Sequence, residues 1–235
     1  MTSPARIAVF ASGSGSNLQA IVDYLKERGA DRAGDVVLVA SDKPGAGALE
    51  RARKAGIPSV VLRNTRNPDG VDAMEALRQH RVDFIALAGY LRLLPKELVA
   101  EFPSRIVNVH PALLPAFGGA GMYGDRVHRA VLLAGARVTG ATVHYVDEEY
   151  DRGAILAQWP VPVLADDSVQ SLAARVLKVE HVLYPRVVDA VASRRWRFDS
   201  RPRAVPDSAA FSLMHWDEKR LVQDIEQAFG LATSH

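Results

Sequence analysis

The chain has no cysteine among its 235 residues. Neither a disulfide framework nor a thiolate nucleophile is therefore available to it, and the composition fits a reducing compartment. It also lacks an excess of charge of either sign: 29 Lys and Arg nearly balance 27 Asp and Glu, leaving a formal +2. That surplus is too small to imply a nucleic acid partner, and the sequence pI near 9.0 overstates the basicity. Long apolar runs are missing as well. No stretch approaches the ~20 residues that span a bilayer, so no membrane partner is expected. The opening "MTSPARIAVFASGSGSN" has too short an apolar run for a signal peptide, because Gly and Ser interrupt it at once. A soluble, cytoplasmic protein is the expectation. What the chain does have is core material. Hydrophobic residues make up 48% of it, enough for one sizeable core.

Apolar runs alternate with amphipathic ones over the first half. "RIAVFA" (6–11), "DVVLVAS" (35–41), "IPSVVL" (57–62), "VDFIALAG" (82–89) and "RIVNVH" (105–110) read as buried strands. Between them, "SNLQAIVDYLKERG", "GALERARKAG", "VDAMEALRQH" and "KELVAEF" read as helices, with Gly29 and Gly56 as stops. Strands alternating with helices imply right-handed crossovers and a parallel sheet. After residue 136 the pattern changes. "VTGATVHYV" (138–146) and "AILAQWPVPV" (154–163), separated by the acidic "DEEYDRG", read as antiparallel strands added to that sheet. A long helix is expected from near Ser168 to about Tyr184, ahead of Pro185, with "VVDAVASRR" a possible continuation. The tail from Trp196, ending in a weakly helical "DEKRLVQDIEQAF", reads as an appendage. The expected fold is α/β: a Rossmann-like, mostly parallel sheet with helices on both faces and antiparallel strands added towards the C-terminus.

Two segments bear on chemistry. "ASGSGSN" (11–17) lies between the first strand and the first helix. Backbone N–H groups of Gly15, Ser16 and Asn17 at that helix start, together with the helix dipole, suit a phosphate, and Gly13 and Gly15 let the backbone come close. The alternative is a plain turn of small residues. A dinucleotide fingerprint would need Gly where Leu18 stands, and no Gly-Lys-Ser/Thr is present. The second segment is "NVHPALLP", where strand alternation puts Asn108 and His110 on one side. Either both are buried and bonded to backbone, or they form a catalytic pair at a strand end. Asp151 is a candidate carboxylate partner for His110. His110, His128, His144 and Asp151 are also conceivable zinc ligands, but neither a His-x-x-x-His nor a Cys pair supports this, and no metal is expected. A serine hydrolase lacks its Gly-x-Ser-x-Gly elbow, since "GSGSN" ends in Asn.

Taken together, "SGSGSNLQAI", "LAGYLRLLP", "NVHPALLP" and "GATVHYVDEEYDRGAILAQ" resemble, in collinear order over about residues 5–190, the folate-dependent glycinamide ribonucleotide formyltransferases. The "NVHPALLP" type of element alone is shared with methionyl-tRNA formyltransferase and formyltetrahydrofolate hydrolase. The phosphate loop sets the tRNA enzymes apart. The hydrolase carries an extra N-terminal regulatory domain, whereas the first strand here starts by Arg6. The resemblance implies the formyltransferase fold, glycinamide ribonucleotide and 10-formyltetrahydrofolate as small-molecule substrates, no metal, and a homodimer as one possible state. It implies catalytic roles for Asn108, His110 and Asp151. Ser14, Gly15, Ser16 and Asn17 would hold the substrate phosphate, and Glu180 in "KVEHVLYP" would lie near the ribose, its alternative being a solvated helix face. Leu91, Arg92, Leu93 and Leu94, with Asn108, would meet the folate. His144 matches a family His that is functional or structural.

Two departures stand out. Many members read "YPGLHTHRQAL" where this chain has "FGGAGMYGDRVHRAV", the longer Gly-rich form of a subgroup. An Arg-containing "F-x-S-R-E-x-Y" segment near the third helix is replaced by "NPDGVDAM", leaving Arg63, Arg66 or Arg92 to substitute. Residues 1–190 are expected to form the formyltransferase domain and 191–235 an extension of it. The expected activity is formyl transfer to the glycinamide amine in de novo purine biosynthesis. Asn108 and a protonated His110 would stabilise the oxyanion, with Asp151 raising the His pKa. A formyltetrahydrofolate hydrolase and a non-catalytic phosphate- or nucleotide-binding module are the alternatives.

Overall fold

The computed structural model describes residues 3–193, 196–198, 204–206 and 223. The helix expected within residues 217–229 lies outside the described residues, apart from Gln223. Seven strands form one sheet in the order β3-β2-β1-β4-β5-β6-β7. They are β1 (Ala5–Phe10), β2 (Gly34–Ser41), β3 (Ser59–Val61), β4 (Phe84–Leu87), β5 (Ile106–His110), β6 (Val138–Tyr145) and β7 (Ile155–Pro162). β1 pairs in parallel with both β2 and β4, β2 with β3, and β4 with β5. β6 and β7 run antiparallel, with Val138 opposite Pro162 and His144 opposite Ile155. The mixed sheet anticipated from the change of pattern after residue 136 is the one observed. Two short strands, β8 (Trp196–Phe198) and β9 (Ala204–Pro206), pair as a separate antiparallel ribbon.

The chain divides into two compact units, Met1–Asn108 with Val188–Ser193, and Val109–Val187 with Arg194–His235. In the first, β1 is flanked on both sides and its run Ile7, Ala8, Val9 and Phe10 is buried. A parallel strand in that position is apolar on both faces, which explains its unbroken hydrophobicity. α1 (Ser16–Arg28) buries Leu18, Ile21 and Leu25 from one face and ends at Gly29, whose φ of 56° few other residues adopt. α2 (Gly47–Lys54) buries only Ala48 and Ala52, which lets its backbone come close to its neighbours. α3 (Ala73–Gln79) is capped by Asp72, whose side chain accepts from the Glu75 N–H, and α4 (Lys96–Glu101) buries Leu98.

Two helices depart from expectation, one in the second unit and one whose last residues, from Val188, belong to the first. α5 (Asp125–Leu133) was not read from the sequence. It buries Val127, His128 and Val131, and the Gly-rich stretch before it hides its start. α6 runs unbroken from Val169 to Ala192 with Pro185 inside it, rather than stopping at Tyr184. A proline in a helix interior costs about 3 kcal/mol. Beyond it, however, Val187, Val188, Val191 and Ala192 are all buried, and each buried valine contributes about 1.5–3 kcal/mol. Packing outweighs the proline. β7 lies at the sheet edge, where Pro160 and Pro162 leave no interior ladder bond unmade. Among the described residues no helix is long and apolar enough to cross a membrane.

Candidate active site

β1 and β4 are parallel neighbours, so their carboxyl ends share one edge of the first unit's sheet. The chain reverses strand order about β1, going to β2 on one side and β4 on the other, and open α/β sheets bind ligands at such a switch point. The loop after β1 leads into α1 through Gly15, at φ 76°. No side chain caps the helix, which leaves the backbone N–H groups of its first turn as the donors there. A Cβ on Gly15 would lie 2.7 Å from the Ala48 Cα, so this turn requires glycine for space as well as for φ. α2 supports the turn from below. The Ala48 N–H donates to the Gly13 carbonyl at 3.1 Å, and the Arg51 Nε–H donates to the Ser14 carbonyl at 2.9 Å. Arg51 was not singled out in the sequence, since nothing there shows which helix lies under the loop.

Beside this turn, the segment after β4 presents Leu91 and Leu93 largely exposed, while Leu94 is buried. The Arg92 Nε–H donates to Asp42 Oδ2 at 2.9 Å. Of the other candidate arginines, Arg63 is turned onto the Gly70 carbonyl, its Nε–H donating at 3.0 Å.

β5 carries Asn108, half-buried, and His110, two residues on and buried. The cluster around His110 lies in the second unit. Its Nδ1 is 3.5 Å from Asp151 Oδ2, and its Nε2 is 2.9 Å from the Phe117 carbonyl. A ring nitrogen facing a carbonyl carries the proton, so the neutral ring is the Nε2–H tautomer and a second proton goes on Nδ1, towards Asp151. His144 lies against the other carboxylate oxygen, Nε2 to Asp151 Oδ1 at 3.5 Å, and its Nδ1 faces the Tyr145 carbonyl at 2.7 Å. The Gly119 N–H donates to Asp151 Oδ2 at 2.9 Å. Asp151 itself sits at φ 57°, a left-handed conformation that Asp tolerates better than most residues. The sequence placed Asp151 with His110 and left His144 open. The structure puts both imidazoles on one carboxylate.

The loop that brings Phe117 to His110 is pinned at Thr142. Its hydroxyl donates to the Ala112 carbonyl at 2.6 Å and accepts from the Leu114 N–H at 3.0 Å. Gln158 Nε2 adds bonds to the Leu114 carbonyl and to Thr142 Oγ1.

One expectation about charge is corrected. Burial lowers the His110 pKa below its ordinary 6.5, and the raising influences of Asp151 and of the Phe117 carbonyl do not overcome it. The expected upward pull of Asp151 is present, but at neutral pH the resting ring is neutral. Burial alone would raise the pKa of Asp151. The hydrogen bond from His144, the charge of His110 and the Gly119 N–H outweigh it, and the net shift is downward. His128, buried in α5, is likewise lowered by burial. Among the described residues no group of three His, Asp or Glu side chains is arranged to hold a metal ion. Glu180 is buried in α6, one turn before the buried Tyr184, rather than on a solvated face. Burial, with Glu180 nearby, pushes the Tyr184 hydroxyl well up.

Comparison with known proteins shows the family. A family model described as formyl transferase matches residues 5–188. The chloroplastic phosphoribosylglycinamide formyltransferase of Arabidopsis thaliana is 50% identical over 204 residues, covering 84% of this chain and 69% of that one. The crystal structure of glycinamide ribonucleotide transformylase 1 from Symbiobacterium toebii superposes with a TM-score of 0.77 at 38% identity, over 86% of this chain and 94% of that one. A formyltetrahydrofolate deformylase from Pseudomonas syringae pv. tomato has a TM-score of 0.76 at 23% identity, over 87% of this chain and 66% of that one, and shares the fold. The chain belongs to the formyl transferase family and, within it, to the phosphoribosylglycinamide formyltransferases.

Proposed function

We propose that the chain transfers the formyl group of 10-formyltetrahydrofolate to the amine of glycinamide ribonucleotide, with Asn108, His110 and Asp151 as its catalytic residues. The observation that carries this reading is the end of β5. Asn108 and His110 alternate onto one side, and a carboxylate lies 3.5 Å from the His110 ring. Attack of the amine on the formyl carbon forms a C–N bond, leaving negative charge on the formyl oxygen and positive charge on the amine. The Asn108 side-chain amide is one hydrogen-bond donor to that oxygen, and preorganised donors of this kind act where the charge develops. With Asp151 on the Nδ1 side, Nε2 is the working nitrogen of His110, and in the structure it is engaged by the Phe117 carbonyl. When substrate displaces that carbonyl, the neutral ring carries its proton on Nδ1, towards Asp151, and Nε2 accepts. Collapse breaks the bond between carbon and N10 of the folate. One proton leaves the amine and one arrives at N10. With the ring proton on Nδ1, Nε2 of His110 takes the proton from the amine and gives it to N10, and Asp151 stabilises the transient imidazolium. No covalent intermediate is required.

Ser14, Gly15, Ser16 and Asn17 hold the ribonucleotide phosphate in this reading, supported by the uncapped start of α1 and by Arg51 beneath the loop. Leu91, Leu93 and Leu94 line the folate beside Arg92. The exposed leucines offer apolar contact, and a guanidinium held by one edge suits a carboxylate. Glu180 is assigned to the ribose. The same reading makes residues 1–190 the catalytic part and 191–235 an extension. It describes a cytoplasmic enzyme that works on small molecules without metal, nucleic acid or membrane.

Incubation of the protein with both substrates tests the assignment. Formylated glycinamide ribonucleotide is expected to accumulate, with little formate released when the amine acceptor is left out. Formate release at the same rate without acceptor would instead identify a hydrolase, and binding without turnover a binding module.

A further inference from the structure

Three loops meet at the switch point of the first unit's sheet, and a buried carboxylate joins them. Ser12 follows β1, Asp42 follows β2 and Arg92 follows β4. The Asp42 side chain is 4% exposed. The Ser12 hydroxyl donates to Asp42 Oδ1 at 2.5 Å, and the Arg92 Nε–H donates to Oδ2 at 2.9 Å. The Ser12 hydroxyl also accepts from the Leu91 N–H at 3.0 Å, while the Ser12 N–H donates to the Gly89 carbonyl. Behind Asp42, the side-chain amides of Asn64 and Asn67 donate to its backbone carbonyl, which fixes the residue from the other side. The carboxylate therefore holds both the backbone of the segment after β4, through Ser12, and the guanidinium on it.

A charged group is costly to bury, and this one is held by charge-assisted bonds of good length. The Arg92 side chain is 36% exposed. Among the described residues, Asp42 is the only acceptor within hydrogen-bond distance of its guanidinium. The fork is thus held at Nε, and its two Nη groups have no acceptor among the described residues. A guanidinium with its torsions already fixed loses less freedom when it meets an anion.

We propose that Asp42 is a positioning residue for the formyl donor: through Ser12 and Arg92 it fixes the Leu91–Leu94 segment and presents the free edge of Arg92 to a carboxylate of the folate. The inference rests on the reading of this segment as the folate-contacting one. It concerns a residue that acts through Arg92 and touches no reacting atom.

Steady-state kinetics of Asp42→Asn, Arg92→Met and the double variant test it. Asp42→Asn keeps the shape and removes the charge. Loss of one charge-assisted hydrogen bond is expected to raise KM for 10-formyltetrahydrofolate about tenfold, leaving kcat and KM for glycinamide ribonucleotide within about twofold. Arg92→Met is expected to raise the same KM at least as much. The double variant is then no worse than Arg92→Met alone, because Asp42 acts through Arg92. An unchanged folate KM in Asp42→Asn beside a raised one in Arg92→Met overturns the role of Asp42 alone. So does an additive double variant, or a parallel loss of kcat and both KM values. An unchanged folate KM in Arg92→Met removes the reading of the segment, and the proposal with it. If Asp42→Asn fails to fold, Ser12→Ala serves in the same assay. A rise in the folate KM of at least about threefold is expected, because Asp42 loses one donor and the Leu91 N–H its acceptor, and no rise overturns the proposal.

Discussion

Replacing His110 by Ala is expected to lower kcat by about 10²–10⁴-fold, the usual contribution of a positioned acid–base group. Binding of glycinamide ribonucleotide should be nearly untouched. The segment proposed to hold the phosphate belongs to the loop between β1 and α1, and its geometry depends on Gly15, Ala48 and Arg51 rather than on His110. The expected pattern is therefore a collapse of kcat at constant ribonucleotide affinity, measured by single-turnover transfer and by equilibrium binding. The His110 ring is buried, hydrogen-bonded at Nε2 and close to Asp151 at Nδ1, so some loss of stability accompanies the change. A melting curve separates that from lost chemistry. A folded His110→Ala protein with near-parental kcat would return the residue to a purely structural role.

Asn108→Ala is expected to cost about 2.7–4 kcal/mol of barrier, or 10²–10³-fold in kcat, as removal of one oxyanion donor does elsewhere. The neutral resting state of His110 makes this donor more important than a fully charged ring would. At the moment of attack the oxygen meets the Asn108 amide rather than a full cation. Asn108→Asp is a sharper test than alanine, since it keeps the volume and replaces the amide donor by a carboxylate. It should be at least as damaging. A loss confined to KM, with kcat preserved, would show that Asn108 binds substrate and transition state equally and supplies no catalysis.

Much of the fold was legible because the strands of a parallel sheet are short continuous apolar runs closed by Gly, Pro or Asp. The Gly29 stop of α1 and the antiparallel pair after residue 136 follow from the same local rules. What failed were the places where packing overrules a local signal. Pro185 reads as a helix end, but the valines after it are buried. α5 lies behind a run of glycines, and only the burial of Val127, His128 and Val131 reveals which face it needed.

In the candidate site, Asn108, His110 and Asp151 were visible as types and spacings. His144 was visible only as a residue. Its contact with Asp151 depends on the pairing of β6 with β7 and on the register irregularity between Val143 and His144. Strand order is likewise invisible in the chain itself. Ser12, Asp42 and Arg92 are separated by 30 and 50 positions and meet because β2, β1 and β4 are neighbours. The charge on His110 was misjudged for a related reason. A carboxylate partner can be inferred from a motif, but the extent of burial that opposes it is a property of the packed structure.

The central claim is that His110 and Asp151 work as one proton-handling unit, and the pH dependence of kcat/KM in the parent and in Asp151→Asn tests it most directly. His110 must be neutral to take the amine proton, so activity rises with pH through its pKa, which lies below the ordinary 6.5. The substrate amine adds its own rising limb near pH 8, identical in both proteins, and the His110 limb appears as a steeper slope beneath it. Asp151→Asn removes the charge that favours imidazolium, so the His110 pKa falls further. The predicted result is an acid limb displaced to lower pH and a plateau of reduced height, because the transient imidazolium has lost its counter-charge. An acid limb that stays where it is in the parent, or moves to higher pH, would contradict the account.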